Sequence, residues 1–134
     1  MAEKIKLEIV TPEAMMVSEE VDEITVTGTE GEFGVLPGHC HMLSSLKIGS
    51  VNYKNGNTEQ FMSLGGGYAE VGPDKVSILA ETAELKDNID VERAKEAQSR
   101  AEENLKKLTP GEKDYEEAEI ALEKARVRLE TAKR

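Results

Sequence analysis

Glycine residues form the first of three clusters whose types and spacing could support chemistry. Four of them, Gly28, Gly31, Gly34 and Gly38, fall close together and let the backbone turn tightly while it stays accessible. A phosphate-binding loop also needs a Lys-Ser/Thr pair that opens a helix, and the sequence after Gly38 supplies neither. The cluster therefore favours tight turns between strands, and such turns can also contact another protein.

A second cluster places three metal-ligand or nucleophile types in a row at His39-Cys40-His41. Adjacent side chains seldom point at one ion, and the chain has no second Cys/His cluster, so we expect no metal site. Neither histidine has an evident orienting partner with which it could activate Cys40 as a nucleophile. We expect a turn here that leads into a strand at Met42 and Leu43, and we identify no catalytic residue in the chain.

The third cluster is cationic and lies at the predicted start of a helix. Arg93 and Arg100 are seven residues apart, so on a helix they share a face and lie about 10.5 Å apart along its axis. Two guanidinium groups in this arrangement are well suited to bidentate contacts with phosphate. The other interpretation is a surface helix that Asp90 caps and in which Arg93 pairs with a nearby carboxylate, such as Glu92 or Glu96. The spacing alone favours the capped, ion-paired helix.

The elements that hold these clusters change character at residue 87. Ten of the eleven glycines precede it, and apolar residues alternate with polar ones up to that point, as Ile5, Leu7 and Ile9 do. Turn signals separate short segments of this kind, and Asn55-Gly56-Asn57 is a strong hairpin signal. Further predicted strands lie at residues 24–27, 46–48, 51–53, 60–62 and 76–79. Residues 1–87 therefore form a predicted β-sandwich or flattened barrel.

Residues 88–134 follow a helical period instead and predict two antiparallel helices. Stripes rich in alanine run along both helices, at positions 94, 97, 101, 105 and 108 and at positions 118, 122, 125, 129 and 132. Thr109-Pro110-Gly111 ends the first helix. A buried alanine contributes only about 0.5–1 kcal/mol at the usual area coefficient, so the hairpin stabilises itself weakly. We interpret it as an arm that depends on docking and can move.

Charge and composition exclude several classes of partner. Residues 1–87 hold 6 Lys/Arg against 15 Asp/Glu, residues 88–134 hold 11 against 12, and the whole chain carries −10. So acidic a chain is not expected to bind nucleic acid or an anionic membrane surface on its own. The first residues alternate where a signal peptide has an apolar core, and no apolar run is long enough for a membrane span. One cysteine excludes a disulfide framework and indicates a reducing compartment.

Five segments carry a resemblance to a known family, in the family's order along the chain. They are residues 7–13 (LEIVTPE), 34–39 (GVLPGH), 65–71 (GGGYAEV), 79–84 (LAETAE) and 89–94 (IDVERA). The series closely resembles the epsilon subunit of F-type ATP synthases of bacteria and chloroplasts, and it covers nearly the whole chain. One departure is Cys40-His41, where the family usually has Ala-Pro, and loss of that proline would loosen the turn.

The resemblance implies an α+β fold in two parts. Residues 1–87 would form a flattened β-sandwich of about ten short strands, and residues 88–134 would form an antiparallel two-helix hairpin. The protein would be a non-catalytic central-stalk subunit of a proton- or sodium-translocating ATP synthase. It would bind the gamma subunit, rest on the c ring and couple the rotor to the catalytic head. Its helices would inhibit ATP hydrolysis when they extend toward the catalytic alpha and beta subunits.

The resemblance also implies a location and residue roles. The protein would be peripheral on the cytoplasmic face of the inner membrane, without inserting into it, and the stromal face of the thylakoid is the alternative. No cofactor is required, but some bacterial members bind ATP as a regulatory ligand in the folded hairpin. The matching residues here are Glu84, Ile89, Asp90, Arg93, Ala94 and Arg100. Glu32 would face the c-ring loops, and His39 would lie nearer gamma. The basic residues expected to meet the catalytic subunits are Lys124, Arg126 and Arg128.

Two other functions stay open for this sequence. The first is a free-standing nucleotide-sensing module of the same build that acts outside a rotor, and co-purification with a large ATPase would exclude it. The second is a small enzyme with its site in the glycine-rich loops. Such an enzyme needs a nucleophile or a paired acid and base, and we find neither in the sequence.

Overall fold

The computed structural model describes residues 3–28 and 31–134. Their contacts form two compact units, of which the first ends at Leu85 and the second begins at Lys86. The first unit contains eight strands, which are β1 (Ile5–Val10), β2 (Met15–Val21), β3 (Glu23–Gly28), β4 (Gly31–Val35), β5 (Met42–Asn55), β6 (Thr58–Val71), β7 (Lys75–Ala80) and β8 (Ala83–Leu85). The second contains a 3-10 turn (Lys86–Asn88) and the helices α1 (Val91–Lys107) and α2 (Lys113–Ala132). The predicted class, a β-sandwich followed by a helical hairpin, is confirmed.

Strand pairing follows one continuous path, β2-β1-β7-β6-β5-β3-β4, and β8 pairs with β6 outside this path. Among the described strands, β1 and β7 pair in parallel and the other pairs are antiparallel. Strand β6 pairs with β8 through residues 62–64 and with β7 through residues 67–71. This change of partner along one strand lets the single path form the two layers of the sandwich.

Strands β5 and β6 are the longest, with 14 residues each, and they form one hairpin. Asn55 pairs with Thr58, so the predicted turn at Gly56 is confirmed, and Gly56 has the positive φ of +65° that such a turn requires. The two arms of this hairpin stay paired from the turn to Met42 and Val71.

Residues 46–48 and 51–53, which the sequence pattern treats as separate strands, both belong to β5. Gly49 interrupts the alternation of side chains but not the backbone pairing. It lies beside the Thr27 side chain, and a Cβ added at Gly49 would lie 2.8 Å from the Thr27 Cβ. The described residues therefore form eight strands, fewer than the resemblance implies.

The Gly65-Gly66-Gly67 run lies where β6 exchanges β8 for β7. A Cβ at Gly65 would lie 2.1 Å from the Thr82 hydroxyl, and one at Gly67 would lie 2.0 Å from the Leu79 carbonyl oxygen. Gly67 also has a φ of +148°, which other residues rarely adopt. The close approach of the β7 backbone to β6 therefore requires glycine at Gly67, whereas a side chain at Gly65 would meet the Thr82 hydroxyl.

The sandwich core consists of the inward-facing residues of the strands. Ile5, Leu7 and Ile9 are fully buried, as the alternation in β1 predicts. The other large, fully buried side chains are Val21, Ile24, Val26, Val35, Val51, Met62, Val71, Val76 and Ile78. Burial of one such side chain contributes about 1.5–3 kcal/mol. The sandwich can therefore fold on its own core.

A polar cluster joins the residue before β1 to the tip of the β5–β6 hairpin. Lys4 Nζ lies 2.6 Å from Asp22 Oδ1 and donates to Asn55 Oδ1 at 2.8 Å. The Gly56 N–H donates to Asp22 Oδ2 at 2.7 Å. The hydrogen bonds from Lys4 and from Gly56 favour the ionised carboxylate, so they hold the pKa of Asp22 below its ordinary value.

We expect Asp22→Asn to lower the melting temperature modestly near neutral pH and to have no effect in strong acid. A depressed pKa stabilises the folded state above the unfolded-state value of 3.8, and this stabilisation is lost as the pH falls through the lower folded-state value. Melting curves from neutral to strongly acidic pH would measure the difference. Asp74→Asn, at an exposed carboxylate of the same unit, is the control, and an identical pH profile for both variants would contradict the assignment.

The second unit is a hairpin in which α1 packs against α2. Asp90 caps α1 as predicted, since its carboxylate accepts a hydrogen bond from the Arg93 N–H. Helix α1 ends at Lys107, and Gly111, with a φ of +100°, lies in the turn before α2. Among residues 3–28 and 31–134, neither helix has the length and apolar character that a membrane span requires.

The predicted stripes are confirmed at four of their six alanines, while Ala97 and Ala132 are half-buried. The buried residues are Ala94, Ala101, Ala118 and Ala125. Leu122 and Leu129 of the predicted stripe are half-buried. Helix α2 also buries Val127 and Thr131, which the predicted stripe omits. These two residues are four apart and lie away from the Ala125 side of α2.

Candidate functional site

The glycine-rich block forms the β3–β4 hairpin and the loop after it. Gly28 pairs with Gly31, and the two intervening residues of the block, Thr29 and Glu30, lie outside the described residues. Strand β4 is at one end of the strand path, so Glu32 is exposed on an edge strand. The next element is the strand β5 and not a helix. This arrangement agrees with turns between strands and not with a phosphate-binding loop.

The end of the glycine-rich block is tied to the turn between β6 and β7. The Gly38 N–H donates to the Pro73 carbonyl oxygen at 2.8 Å, and the His39 N–H donates to the Leu36 carbonyl oxygen at 3.2 Å. His39 is half-buried, and its Nδ1 lies 2.7 Å from the Cys40 carbonyl oxygen. These contacts fix the position of His39 although the sequence lacks the family's proline.

The remaining residues of the His39-Cys40-His41 run differ in their surroundings. His41 packs beside the same turn, because a Cβ added at Gly72 would lie 3.4 Å from two atoms of the imidazole ring. Cys40 is an exposed free cysteine. In the described part of the chain, no three His, Cys, Asp or Glu side chains are grouped so that they could hold a metal ion.

An apolar patch lies on the outer face of the layer that contains β7. We define it by Leu43, Tyr68, Leu79 and Met15, whose side chains are 73%, 58%, 58% and 54% exposed, and by the half-buried Val10. Tyr68 pairs with Leu79, and Val10 pairs with both Leu79 and Met15. The apolar patch therefore forms a row across β2, β1, β7 and β6, and Leu43 lies beside it on β5.

The sequence analysis missed the apolar patch, although a signal was present. In β7 the inward residues are Val76, Ile78 and Ala80, so alternation turns Leu79 outward. A large aliphatic residue at an outward position of a strand is unusual unless another surface covers it. Contiguous exposed apolar surface of this kind marks interaction sites on many proteins.

The cationic cluster on α1 is capped but not ion-paired. Asp90 Oδ1 accepts from the Arg93 N–H at 3.1 Å, which confirms the predicted cap. Arg93 and Arg100 are both exposed. In the described part of the chain, neither guanidinium group forms a salt bridge, so the predicted ion pair of Arg93 with a nearby carboxylate, such as Glu92 or Glu96, is wrong. Arg93 therefore contacts Asp90 through its backbone N–H, while its side chain is exposed to solvent.

The other residues predicted to contact ATP differ in exposure. Ile89 is 8% exposed and Ala94 is fully buried, so neither side chain presents a free surface to a ligand in this conformation. Glu84 is half-buried in β8, where it pairs with Ser63, and it belongs to the first unit. Asp90, Arg93 and Arg100 are therefore the exposed members of the predicted set on α1.

The basic residues of α2 lie in its C-terminal half. Lys124 and Arg128 are half-buried and one turn apart, while Arg126 is exposed and forms a salt bridge of 3.3 Å with Glu123. The N-terminal half of the same helix carries the acidic residues Asp114, Glu116, Glu117 and Glu119. The charge of α2 therefore changes sign along its length, in the direction that the helix dipole favours.

Two family profiles match successive parts of the chain. Residues 4–86 match the beta-sandwich domain of the ATP synthase Delta/Epsilon chain, and residues 87–133 match the long alpha-helix domain of the same chain. A protein named ATP synthase epsilon chain from Geotalea uraniireducens is 58% identical over 132 residues, which are 98% of this chain and 96% of that protein. The protein of the same name from Geobacter sulfurreducens is 55% identical over the same shares of the two chains.

Two solved structures with this fold come from mitochondrial ATP synthases. A chain in the cryo-EM structure of the Euglena gracilis mitochondrial ATP synthase, comprising OSCP, F1 and the c-ring, superimposes with a TM-score of 0.84 and 29% identity. The match covers 98% of this chain and 82% of that one. A chain of the Tetrahymena thermophila mitochondrial ATP synthase, from its central stalk and c-ring, gives a TM-score of 0.66 at 11% identity over 97% of both chains, and this match concerns the fold alone.

Proposed function

The chain belongs to the ATP synthase Delta/Epsilon chain family, and from this premise we propose that it is a rotor subunit whose hairpin regulates ATP hydrolysis. As an epsilon chain, it is a non-catalytic subunit of ATP synthase. The proposal concerns what the two units of the chain do in that complex. The sandwich would hold the subunit on the rotor, and the hairpin would inhibit ATP hydrolysis by the complex.

The apolar patch is the observation that carries the first part of the proposal. Large aliphatic and aromatic side chains that lie side by side in water gain free energy when a partner covers them. Tyrosine and methionine are enriched at such interfaces. We assign the apolar patch to the gamma subunit, which the resemblance implies as the partner of the sandwich. His39 lies in the loop that leads into β5, the strand that carries Leu43, and so supports the same assignment.

The c ring would contact the edge of the other layer. Glu32 is exposed on β4, at the opposite end of the strand path from β2. A carboxylate on an exposed edge strand discourages unwanted strand pairing and can instead meet a basic or polar loop. The sandwich would then place gamma and the c ring on different surfaces, as a stalk subunit requires.

We expect Leu79→Glu to prevent assembly of the subunit with the rest of the complex. A buried charge without a partner at the centre of an interface should cost at least about 2 kcal/mol, or roughly 30-fold in affinity. The melting temperature of the isolated chain should hardly change, because Leu79 is 58% exposed. Co-purification and a binding titration with the gamma subunit would measure the effect.

Ile120→Glu is the matched control, since Ile120 is an exposed aliphatic residue on α2, outside the apolar patch. Truncation after Asp87 should also leave assembly intact. Normal assembly of Leu79→Glu, or lost assembly after truncation, would contradict the division of labour between the two units. Failure of the unmodified chain to co-purify with an ATPase would instead favour the free-standing nucleotide-sensing module.

The hairpin carries the regulatory part of the proposal. We infer that the helices inhibit ATP hydrolysis when they extend toward the alpha and beta subunits, where Lys124, Arg126 and Arg128 would meet acidic loops. ATP bound to the folded hairpin would oppose this extension, because a ligand shifts an equilibrium by its differential affinity for the two states. The exposed Arg93 and Arg100 guanidinium groups support a phosphate contact on α1. The complex would work at the cytoplasmic face of the inner membrane, with this subunit at its periphery.

A further inference from the structure

The base of the hairpin is closed by a residue that the sequence motifs do not include. Lys86 opens the 3-10 turn that precedes α1, and its ammonium group donates a hydrogen bond to the backbone carbonyl of Arg134, just after α2. The 3-10 turn and α2 also contact each other more broadly. Lys86 and Arg134 belong to the same compact unit, so this contact is internal to the hairpin.

The C-terminus of α2 lies at this end of the hairpin, and a nearby cation stabilises it. The last carbonyl groups of a helix have no partner within the helix, and its C-terminus carries a partial negative charge that favours cations. The last turn of α2 contains no basic residue but does contain Glu130. The Lys133 N–H, at the C-cap, donates to the Glu130 carbonyl oxygen, and the Arg134 N–H donates to the Thr131 carbonyl oxygen, each at 3.2 Å. The basic residues Lys133 and Arg134 follow directly after α2, and the Lys86 side chain adds a further cation from a distant part of the sequence.

Packing around the base is also more extensive than the alanine stripes account for. Ile89 lies between the 3-10 turn and α1 and is 8% exposed, while Val127 and Thr131 near the end of α2 are 8% and 3% exposed. At the other end of the hairpin, Leu108 and Tyr115 are only half-buried. The least exposed large side chains of the hairpin therefore lie toward its base, where the contact from Lys86 also lies.

We propose that Lys86 is a latch that holds the last turns of α2 in the folded hairpin. The 3-10 turn precedes α1, and Arg134 follows α2. If the hairpin extends, the end of α2 moves away from the 3-10 turn, and the Lys86 contact breaks. Lys86 is a positioning residue and contacts no ligand. Its effect on hydrolysis rests on the regulatory role proposed above, whereas the latch itself is a property of the isolated chain.

Amide hydrogen exchange on the isolated full-length chain tests the latch. Lys86→Met keeps a long, unbranched side chain but removes the charge, so residues 127–134 should exchange about 2- to 5-fold faster, the range expected for loss of one cation at a helix C-terminus. Lys86→Arg should restore protection. Lys95→Met, at an exposed lysine of α1, is the matched control and should leave residues 127–134 unchanged. The sandwich amides should not respond to any of these variants.

The outcomes separate the latch from the proposed function. Equal exchange in Lys86→Met, Lys95→Met and the unmodified chain would overturn the latch. Faster exchange that is confined to residues 127–134 and reversed by Lys86→Arg would support it. Hydrolysis by the assembled complex should then fall with Lys86→Met, since the inhibitory form gains population. Unchanged hydrolysis together with faster exchange would leave the latch in place and contradict the inhibitory role of the hairpin.

Discussion

Removal of residues 88–134 should raise ATP hydrolysis by the assembled complex several-fold. The helices bury mainly small side chains between them, at Ala94, Ala101, Ala118 and Ala125, so the folded hairpin is only weakly stabilised by its own contacts. A folded and an extended form can therefore differ by a few kcal/mol, and both can be populated. The extended form would oppose rotation in the hydrolytic direction. Steady-state hydrolysis by complexes reconstituted with residues 1–87 or with the full chain measures the difference.

Charge removal on α2 should reproduce part of that effect. Combined replacement of Lys124, Arg126 and Arg128 by Ala removes the basic half of the helix without truncation. High salt should weaken the same contacts where they are exposed, because the Debye length falls to about 3 Å at 1 M ionic strength. Replacement of Lys106 and Lys107 by Ala, in the last turn of α1, controls for a general loss of basic charge. Unchanged hydrolysis after truncation would mean that the arm has a structural role.

Local features of the sequence predicted much of this fold because their causes are local. The alternation in β1 follows from the two faces of a strand, and the Asn55-Gly56 turn follows from the positive φ that glycine permits. The Asp90 cap likewise depends only on the first turn of α1. Each of these features depends on residues that are close together in sequence, so it does not require knowledge of the tertiary contacts.

The features that were missed depend on tertiary pairing. The apolar patch exists because register brings Leu79 beside Tyr68 and Val10, which are far apart in sequence. Gly49 stays within β5 because its neighbours pair continuously with β6. The sequence pattern instead predicts the end of a strand there, because glycine has no side chain to continue the alternation. The predicted ion pair of Arg93 failed for another reason. An exposed guanidinium group gains little from a nearby carboxylate in water, and that small gain does not offset its loss of rotamer freedom.

ATP should raise the melting temperature of the isolated chain, and the reason lies in the first three turns of α1. Arg93 and Arg100 are exposed, without a salt bridge in the described part of the chain, and they lie about 10.5 Å apart along the helix axis. That spacing suits a triphosphate held from two ends. Binding to the folded hairpin would stabilise it by about 2.7 kcal/mol when ATP is at 100 times its dissociation constant. Differential scanning fluorimetry and titration calorimetry on the isolated chain would measure this.

Arg93→Ala should abolish the ATP-dependent shift, because a charge-assisted contact with phosphate is worth about 1.5–3 kcal/mol, or roughly 10- to 150-fold in affinity. Lys95→Ala removes an exposed cation from the same helix and should leave the shift intact. Asp90→Ser separates two roles of Asp90, since serine also caps helices well but has no carboxylate. The melting temperature of Asp90→Ser without ATP should therefore stay unchanged. If ATP no longer raises the melting temperature of this variant, the Asp90 carboxylate contacts the nucleotide. If millimolar ATP gives neither heat nor a thermal shift with the unmodified chain, Asp90 serves as a helix cap alone, and the regulation of the hairpin does not pass through ATP.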